Sequence, residues 1–257
     1  MTYVISDLHG CYDKWKAMLE QLNLKEDDML FVLGDIIDRG PEPMKLLFDM
    51  MERPNVYPIM GNHECFMLLC VRKLPLDTNL NNLSAKVDPG TLPTLRLWMK
   101  NGGRVTLEQY LALTPDQKEQ ILDYLQEFTL YEDLTVKDAS AFKGMTRQEI
   151  AAMKERPAIG EKQYILTHSG LMNFDPEKEL DDYALEEFLS DRPSLDTRYY
   201  EDKMMVLGHT PTPLMREDQQ PAILFTPTWI NIDCGCTFDG GRLGCLRLED
   251  WKEYYVD

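Results

Sequence analysis

The most informative segment of the sequence is Gly34-Asp35-Ile36-Ile37-Asp38-Arg39-Gly40. It places two carboxylates and a guanidinium between glycines, directly after the apolar run Met29–Leu33. An apolar run that stops at glycine and polar residues is typical of a buried strand with a loop at its carboxyl end. We therefore expect these polar side chains to lie at the edge of a parallel sheet where such folds bind ligands.

The same arrangement occurs on both sides of this stretch. Thr2–Ser6 and Val56–Met60 are further apolar runs, and stretches with helical spacing follow all three runs, at Tyr12–Leu22, Pro41–Arg53 and Glu64–Leu74. This alternation predicts a βαβαβα unit with a mostly parallel sheet. Pro58 in the third run favours an edge strand or a bulge there.

The rest of the chain divides into two parts. Residues 75–160 are loop-like and then favour short helices at Leu95–Met99, Leu107–Leu111 and Pro115–Phe128, with a capping box at 146–149 before a further helix at 150–155. Strand patterns return from residue 163 to residue 256. We predict one α/β domain over residues 1–257 with a mostly helical insert at about 75–160.

The chain has four histidines, and each follows one of the strand-like runs. They are His9, His63, His168 and His209. A single histidine in such a place is more often a turn residue or a satisfied core residue. Because all four share the position, and Asp7, Asp35, Asp38 and Asn62 share it too, the joint pattern predicts one site at the carboxyl ends of the strands.

These motifs resemble the signatures of the phosphoprotein phosphatase family of metallophosphoesterases. The residues that carry the resemblance are Ser6–Gly10, Gly34–Gly40, Gly61–Glu64 and the two later histidines, with Ser6 where the family has glycine. Residues 98–103 also resemble a segment of bacterial members, whereas residues 137–160 are longer than is usual. The resemblance implies two packed mixed β-sheets flanked by helices.

The donor atoms predict a metal site. Carboxylate oxygens and imidazole nitrogens without thiolate suit divalent ions such as Mn, Fe or Zn, and six ligands suit two ions that share one carboxylate. The resemblance assigns Asp7, His9 and Asp35 to the first ion. It assigns Asp35, Asn62, His168 and His209 to the second. We expect two divalent ions, with Mn favoured.

The resemblance also implies roles for the remaining polar residues. His63 would protonate the leaving oxygen, and Asp38 would orient its ring. Arg39 would grip phosphate oxygens bidentately, with Asn62 also on the phosphate. A second phosphate-binding arginine is expected between the last two histidines, where Arg192 is favoured over Arg198.

Composition narrows the possible partners. The 257 residues carry 27 Lys and Arg against 44 Asp and Glu, a net charge of −17. Such acidity argues against binding nucleic acid or anionic membranes, and no apolar run is long enough to span a bilayer. Six irregularly spaced cysteines and the absence of a signal peptide favour a cytoplasmic protein with reduced thiols.

Three functions follow as hypotheses. The favoured one is a two-metal phosphomonoesterase that acts on phosphoserine or phosphothreonine in proteins, because the Gly34–Gly40 and Gly61–Glu64 motifs together resemble that branch. Glu64 supports it further, since the tetraphosphatase branch usually has Asp at that position. The alternative is a symmetrical diadenosine tetraphosphatase or related nucleotide polyphosphate hydrolase. The third, a metal-binding interaction module without catalysis, is disfavoured because every catalytic position is filled.

Overall fold

Two five-stranded sheets form the centre of the protein in a computed structural model, which describes residues 1–145, 149, 152–153 and 159–257. The first sheet has the order β10-β9-β1-β2-β3. Its strands are β1 (Thr2–Ile5), β2 (Met29–Val32), β3 (Val56–Pro58), β9 (Leu243–Arg247) and β10 (Lys252–Val256). The strands β1, β2 and β3 are parallel, whereas β9 pairs antiparallel with both β1 and β10. Pro58 lies in an edge strand, as the sequence predicts.

The second sheet has the order β4-β5-β6-β8-β7. Its strands are β4 (Tyr131–Asp138), β5 (Gly160–Thr167), β6 (Lys203–Leu207), β7 (Leu224–Phe225) and β8 (Trp229–Asn231). The strands β5, β6 and β8 are parallel, and antiparallel β4 and β7 close the two edges. The expected fold of two mixed sheets is confirmed.

Helices cover the outer faces of the sheets. They are α1 (Tyr12–Leu22), α2 (Pro43–Met51), α3 (Asn62–Val71), α4 (Leu83–Lys86), α5 (Leu92–Lys100), α6 (Arg104–Ala112), α7 (Pro115–Gln126) and α8 (Leu185–Leu189). No helix among the described residues is long and apolar enough to cross a membrane.

The core follows the two-residue period of the strands. Tyr3 and Ile5 face the cluster formed with the helices of the first half, whereas Val4 packs between the sheets with Leu166 and Val206. A third cluster packs the outer face of the second sheet against α8. Alternating side chains on β1 thereby bury both faces of its sheet.

The prediction for the insert needs one correction. The helix α7 ends at Gln126, and residues 131–138 form the strand β4, which pairs along its whole length with β5. Only Val136 of this strand is fully buried, and its acidic residues hide the strand pattern. The predicted capping box and helix at 146–155 lie largely outside the described residues.

Candidate metal centre and active site

The predicted site residues meet where the carboxyl ends of the two sheets come together. Loops after β1 and β2 carry Asp7, His9, Asp35, Asp38 and Arg39, and the start of α3 carries Asn62 and His63. From the second sheet, His168 follows β5 and His209 follows β6. Both sheets therefore contribute to one site.

The loops that carry these side chains have an unusual backbone. Six site residues other than glycine have φ in the left-handed region: Asp7, His9, Asp35, Asp38, Arg39 and His209, with φ from 45° to 71°. Such residues rarely adopt this conformation, and it concentrates where function demands a particular side-chain direction.

Asp35 is the centre of the site. Its Oδ2 lies 3.7 Å from Nε2 of His9 and 3.7 Å from Nε2 of His63, and its Oδ1 lies 3.4 Å from Nε2 of His168. That His168 nitrogen lies 3.0 Å from Oδ1 of Asn62 and 3.1 Å from Nδ1 of His209. Two groups of donors, each within 4.8 Å, thus share the Asp35 carboxylate: His9 and His63 on one side, His168 and His209 on the other.

Hydrogen bonds orient two of the imidazoles. Nδ1 of His9 lies 2.9 Å from the carbonyl of Ile37, and Nδ1 of His168 lies 2.7 Å from the carbonyl of Leu33. A carbonyl can only accept, so each Nδ1 carries the hydrogen and each Nε2 keeps its lone pair for a cation. This donor set fits divalent metal ions.

The electrostatics keep His9, His209 and Asp35 in their metal-binding forms. Burial lowers the pKa of His9 and of His209 to about 3, so both rings are neutral near neutral pH. Burial alone would raise the pKa of Asp35, but the surrounding histidines, His63 first, hold it well below its ordinary value. An ionised carboxylate among imidazoles is what a divalent cation requires.

Asp7 belongs to neither of these two donor groups and is tied to the second sheet. Its Oδ2 accepts the backbone N–H of His209 at 3.0 Å. Burial and the nearby carboxylate of Asp233 raise its pKa well above the ordinary value. A cation bound beside them would favour the ionised form of both carboxylates.

His63 and Arg39 form the wall beside Asp35. Oδ2 of Asp38 lies 2.6 Å from Nδ1 of His63, so Nε2 of that ring faces the site. Burial lowers the pKa of His63, but Asp35 and Asp38 outweigh it and raise the value to about 9. Distance alone groups His63 with His9 and Asp35, so its role as the proton donor stays a prediction.

The Arg39 guanidinium lies over both histidines. Its Nη1 is 2.7 Å from Nε2 of His9, and its Nη2 is 3.2 Å from Nε2 of His63. The His9 nitrogen is the atom predicted to bind an ion. A guanidinium beside this atom has the fork geometry that binds phosphate oxygens bidentately.

The structure distinguishes the two candidates for the second arginine. Nη1 of Arg192 donates to Oγ1 of Thr210 at 3.0 Å, next to His209. Arg198 instead donates to the carbonyls of Leu195 and Thr197 in its own loop. The geometry places Arg192, rather than Arg198, beside the site.

Sequence reasoning missed how Glu64 supports the site. Its Oε2 accepts the backbone N–H groups of Asp35 and Gly61, and its Oε1 accepts those of Ile36 and Ile37, at 2.8–3.1 Å. The loops after β2 and β3 touch here, since a Cβ on Gly61 would lie 2.3 Å from the nitrogen of Asp35. Glu64 was visible in its motif, but a sequence does not show where a side chain reaches.

Comparison with known proteins gives the class. The sequence profile described as calcineurin-like phosphoesterase matches residues 2–241. The chain belongs to the calcineurin-like phosphoesterase family. Its fold is similar to that of a protein serine/threonine phosphatase from Saccharomyces cerevisiae, with a TM-score of 0.56, 12% identity and coverage of 99% and 78% of the two chains. A metallophosphoesterase from Sphaerobacter thermophilus has a TM-score of 0.52, 15% identity and coverage of 99% and 86%.

Relatives by sequence are nucleotide hydrolases. A symmetrical bis(5'-nucleosyl)-tetraphosphatase of Actinobacillus pleuropneumoniae is 25% identical and covers 97% of this chain and 96% of its own length. That of Wigglesworthia glossinidia brevipalpis is 32% identical over only 38% of this chain and 37% of its own length. The asymmetrical enzyme PrpE of Halalkalibacterium halodurans is 22% identical over 96% and 89%.

Proposed function

We propose that the protein is a divalent-metal-dependent hydrolase of dinucleoside polyphosphates that cleaves diadenosine tetraphosphate symmetrically into two molecules of ADP. The observation that carries this proposal is the match to symmetrical tetraphosphatases, one of them along 97% of the chain. The comparisons favour this alternative over the phosphoprotein phosphatase that the sequence first favoured.

One reason for that first preference also loses its force. It was Glu64, taken as a marker of the phosphoprotein branch. The Glu64 carboxylate is fully buried and accepts four backbone N–H groups. It is therefore occupied with holding two loops together, and it has no free oxygen with which to select a substrate.

Phosphate chemistry suits the charges of the site. Two divalent ions, when bound, supply positive charge to phosphate oxygens and lower the pKa of water. Asp7, His9 and Asp35 would hold one ion, and Asp35, Asn62, His168 and His209 the other, with Mn the favoured metal. Arg39 lies beside His9, and Arg192 contacts Thr210 next to His209; both would bind phosphate oxygens. His63, oriented by Asp38, would give a proton to the leaving oxygen.

The substrate also suits the rest of the protein. A tetraphosphate bridge is short and densely charged, so a small cationic site can bind it even though the chain carries a net charge of −17. A nucleic acid or an anionic membrane would instead meet the acidic surface, and neither is proposed as a partner.

The test compares two substrates in the presence of Mn. Purified protein is incubated with diadenosine tetraphosphate or with phosphoserine and phosphothreonine peptides, and products are separated by anion-exchange chromatography. We expect ADP as the sole nucleotide product and a higher kcat/KM for the dinucleotide. Asp35→Asn is the control for a contaminating hydrolase.

Each other product pattern has a definite meaning. Equal amounts of ATP and AMP would replace symmetrical by asymmetrical cleavage. A higher kcat/KM for a phosphopeptide would refute the proposal and restore the phosphoprotein phosphatase.

A further inference from the structure

Trp98, on α5 of the helical insert, contacts the carboxylate that orients His63. The indole is fully buried, and its Nε1–H donates to Oδ2 of Asp38 at 2.7 Å. The same oxygen receives Nδ1–H of His63 at 2.6 Å. The other oxygen, Oδ1, is buried without a hydrogen-bond partner among the described residues.

Both hydrogen bonds to the Asp38 carboxylate are therefore made to the same atom, Oδ2. The last torsion of an aspartate side chain has broad minima, so a carboxylate with one partner turns easily. The two hydrogen bonds to Oδ2 come from different side chains, Trp98 and His63, and together they fix the plane of the carboxylate. Without the indole, the carboxylate could rotate so that Oδ1 replaces Oδ2 as the acceptor. The His63 ring would then no longer be held in one orientation.

The segment after Trp98 holds the backbone of the same loop. Thr106 Oγ1 accepts the N–H of Asp38 at 3.0 Å, and the carbonyl of Gly102 accepts the N–H of Arg39 at 3.2 Å. A Cβ on Gly103 would lie 2.3 Å from Nε1 of Trp98, so only glycine lets the chain pass beside the indole. Side chain and backbone of the 38–39 turn are thus both held by the insert.

We propose that Trp98 is a positioning residue for proton transfer by His63, and that it acts through Asp38 rather than by contact with substrate. The inference rests on the proposed hydrolytic function of the site. It assigns to the helical insert a part in the reaction, namely to keep Nε2 of His63 directed at the leaving oxygen.

The chain contains a matched control. Trp15 on α1 is equally buried, and its Nε1–H donates to a carboxylate oxygen, Oδ2 of Asp49, at 2.8 Å. Trp15→Phe and Trp98→Phe therefore remove the same kind of hydrogen bond, but only the second touches the His63 system. Any difference in their kinetics cannot come from the loss of a buried indole donor as such.

The first experiment measures the dependence on the leaving group. Both variants are assayed with Mn on an alkyl phosphate, which needs a proton on its leaving oxygen, and on a nitrophenyl phosphate, which barely does. Thermal unfolding and bound metal are measured in parallel. We expect Trp98→Phe to lower kcat on the alkyl ester about tenfold, which is less than the full contribution of a general acid, because His63 itself remains. The loss on the aryl ester should be much smaller. Trp15→Phe should leave the ratio of the two rates unchanged.

The second experiment is independent of activity. In ¹⁵N-labelled protein without added Mn, Asp38→Asn should shift the indole Nε1–H resonance of Trp98 and leave that of Trp15 in place. Equal losses of Trp98→Phe on the two esters, or an unmoved Trp98 resonance, would overturn the proposal.

The two proposals can fail separately. Preference for a phosphopeptide over the dinucleotide would refute the proposed substrate and leave the role of Trp98 intact. An unmoved Trp98 resonance would refute the role of Trp98 and leave the proposed substrate untouched.

Discussion

In His63, Nδ1 is hydrogen-bonded to Asp38, and Nε2 faces the site. This geometry suits a proton donor. His63→Asn should therefore retain bound metal while kcat on an alkyl phosphate falls by about 10²–10⁴. The loss should be smaller on a nitrophenyl ester or on diadenosine tetraphosphate, since both leaving groups are stable anions. Steady-state kinetics on the three substrates, with metal analysis, test this.

Two outcomes would contradict that assignment. Equal losses on all substrates would mean that His63 does not protonate the leaving oxygen. Loss of one ion in His63→Asn would mean that this ring is a ligand, as its distances to Asp35 and His9 also permit.

Asp35 differs from its neighbour Asp38 in the same loop. Asp35 lies within 3.7 Å of three imidazole nitrogens, whereas Asp38 turns away from them toward His63 Nδ1 and Trp98. Asp35→Asn should lose both ions and all measurable activity, because an amide shared between two cations lacks the charge that holds them. Asp38→Asn, the matched variant, should keep its metal. An Asp35→Asn protein that still binds two ions per chain would refute the shared carboxylate.

At the scale of elements, Glu64 joins the loop after β2 to the start of α3. Glu64→Gln replaces one acceptor oxygen by an NH₂ group that faces backbone donors. We expect a loss of about 1–3 kcal/mol in the free energy of unfolding, the cost of buried donors left without acceptors. Glu42→Gln, which removes only an exposed pair with Lys45, is the control and should change stability little. Chemical denaturation of both variants is the measurement, and equal stabilities would contradict this role.

The contact between α1 and α2 predicts how the stability of the protein depends on pH. Although burial opposes it, hydrogen bonds from Arg53 and Trp15 lower the pKa of Asp49 from 3.8 to about 2. A depressed folded-state pKa stabilises the fold above the unfolded value and loses that effect as pH falls toward the folded value. Asp49→Asn should thus destabilise the protein at neutral pH, by about 1–2 kcal/mol. The difference from wild type should narrow as pH drops below 3.8. A difference that is constant with pH would show that packing, not charge, is responsible.

The elements also show what a sequence can predict. β1, β2 and β3 end in glycine and polar residues, and alternating patterns of this kind are local, so the strands and the site motifs at their ends were predictable. The strand β4 was not predictable, because its only fully buried side chain is Val136 and its partner β5 lies more than twenty residues away in sequence. The contact of Trp98 with Asp38 spans 60 residues, and no local pattern marks which carboxylate an indole will reach.

At the scale of the whole molecule, the site joins the two sheets. Asp7 and Asp35 come from the first sheet, and His168 and His209 from the second, so the ion held by Asp35, His168 and His209 would be linked to both. Ligands that bind only the folded state stabilise it, by about 2.7 kcal/mol for each site at a hundredfold excess over Kd. Chelation should therefore lower Tm as well as abolish activity, and Mn should restore both better than Mg or Ca. Unchanged Tm and activity after exhaustive chelation would refute the metal site.

Protons and metal ions compete for the same imidazole lone pairs throughout this site, which sets the acid limb of activity. Burial holds the pKa of His9 at about 3, well below the ordinary 6.5, and His209 behaves alike. A lowered pKa keeps a ligand neutral until the pH approaches that value, so activity should persist below pH 6.5 and fall only in stronger acid. Because metal binding opposes protonation, raising the Mn concentration should move the acid limb to still lower pH. Rate profiles at several Mn concentrations, with circular dichroism to confirm that the protein stays folded, make the test. An acid limb that stays fixed as Mn rises would assign it to a group that binds no metal.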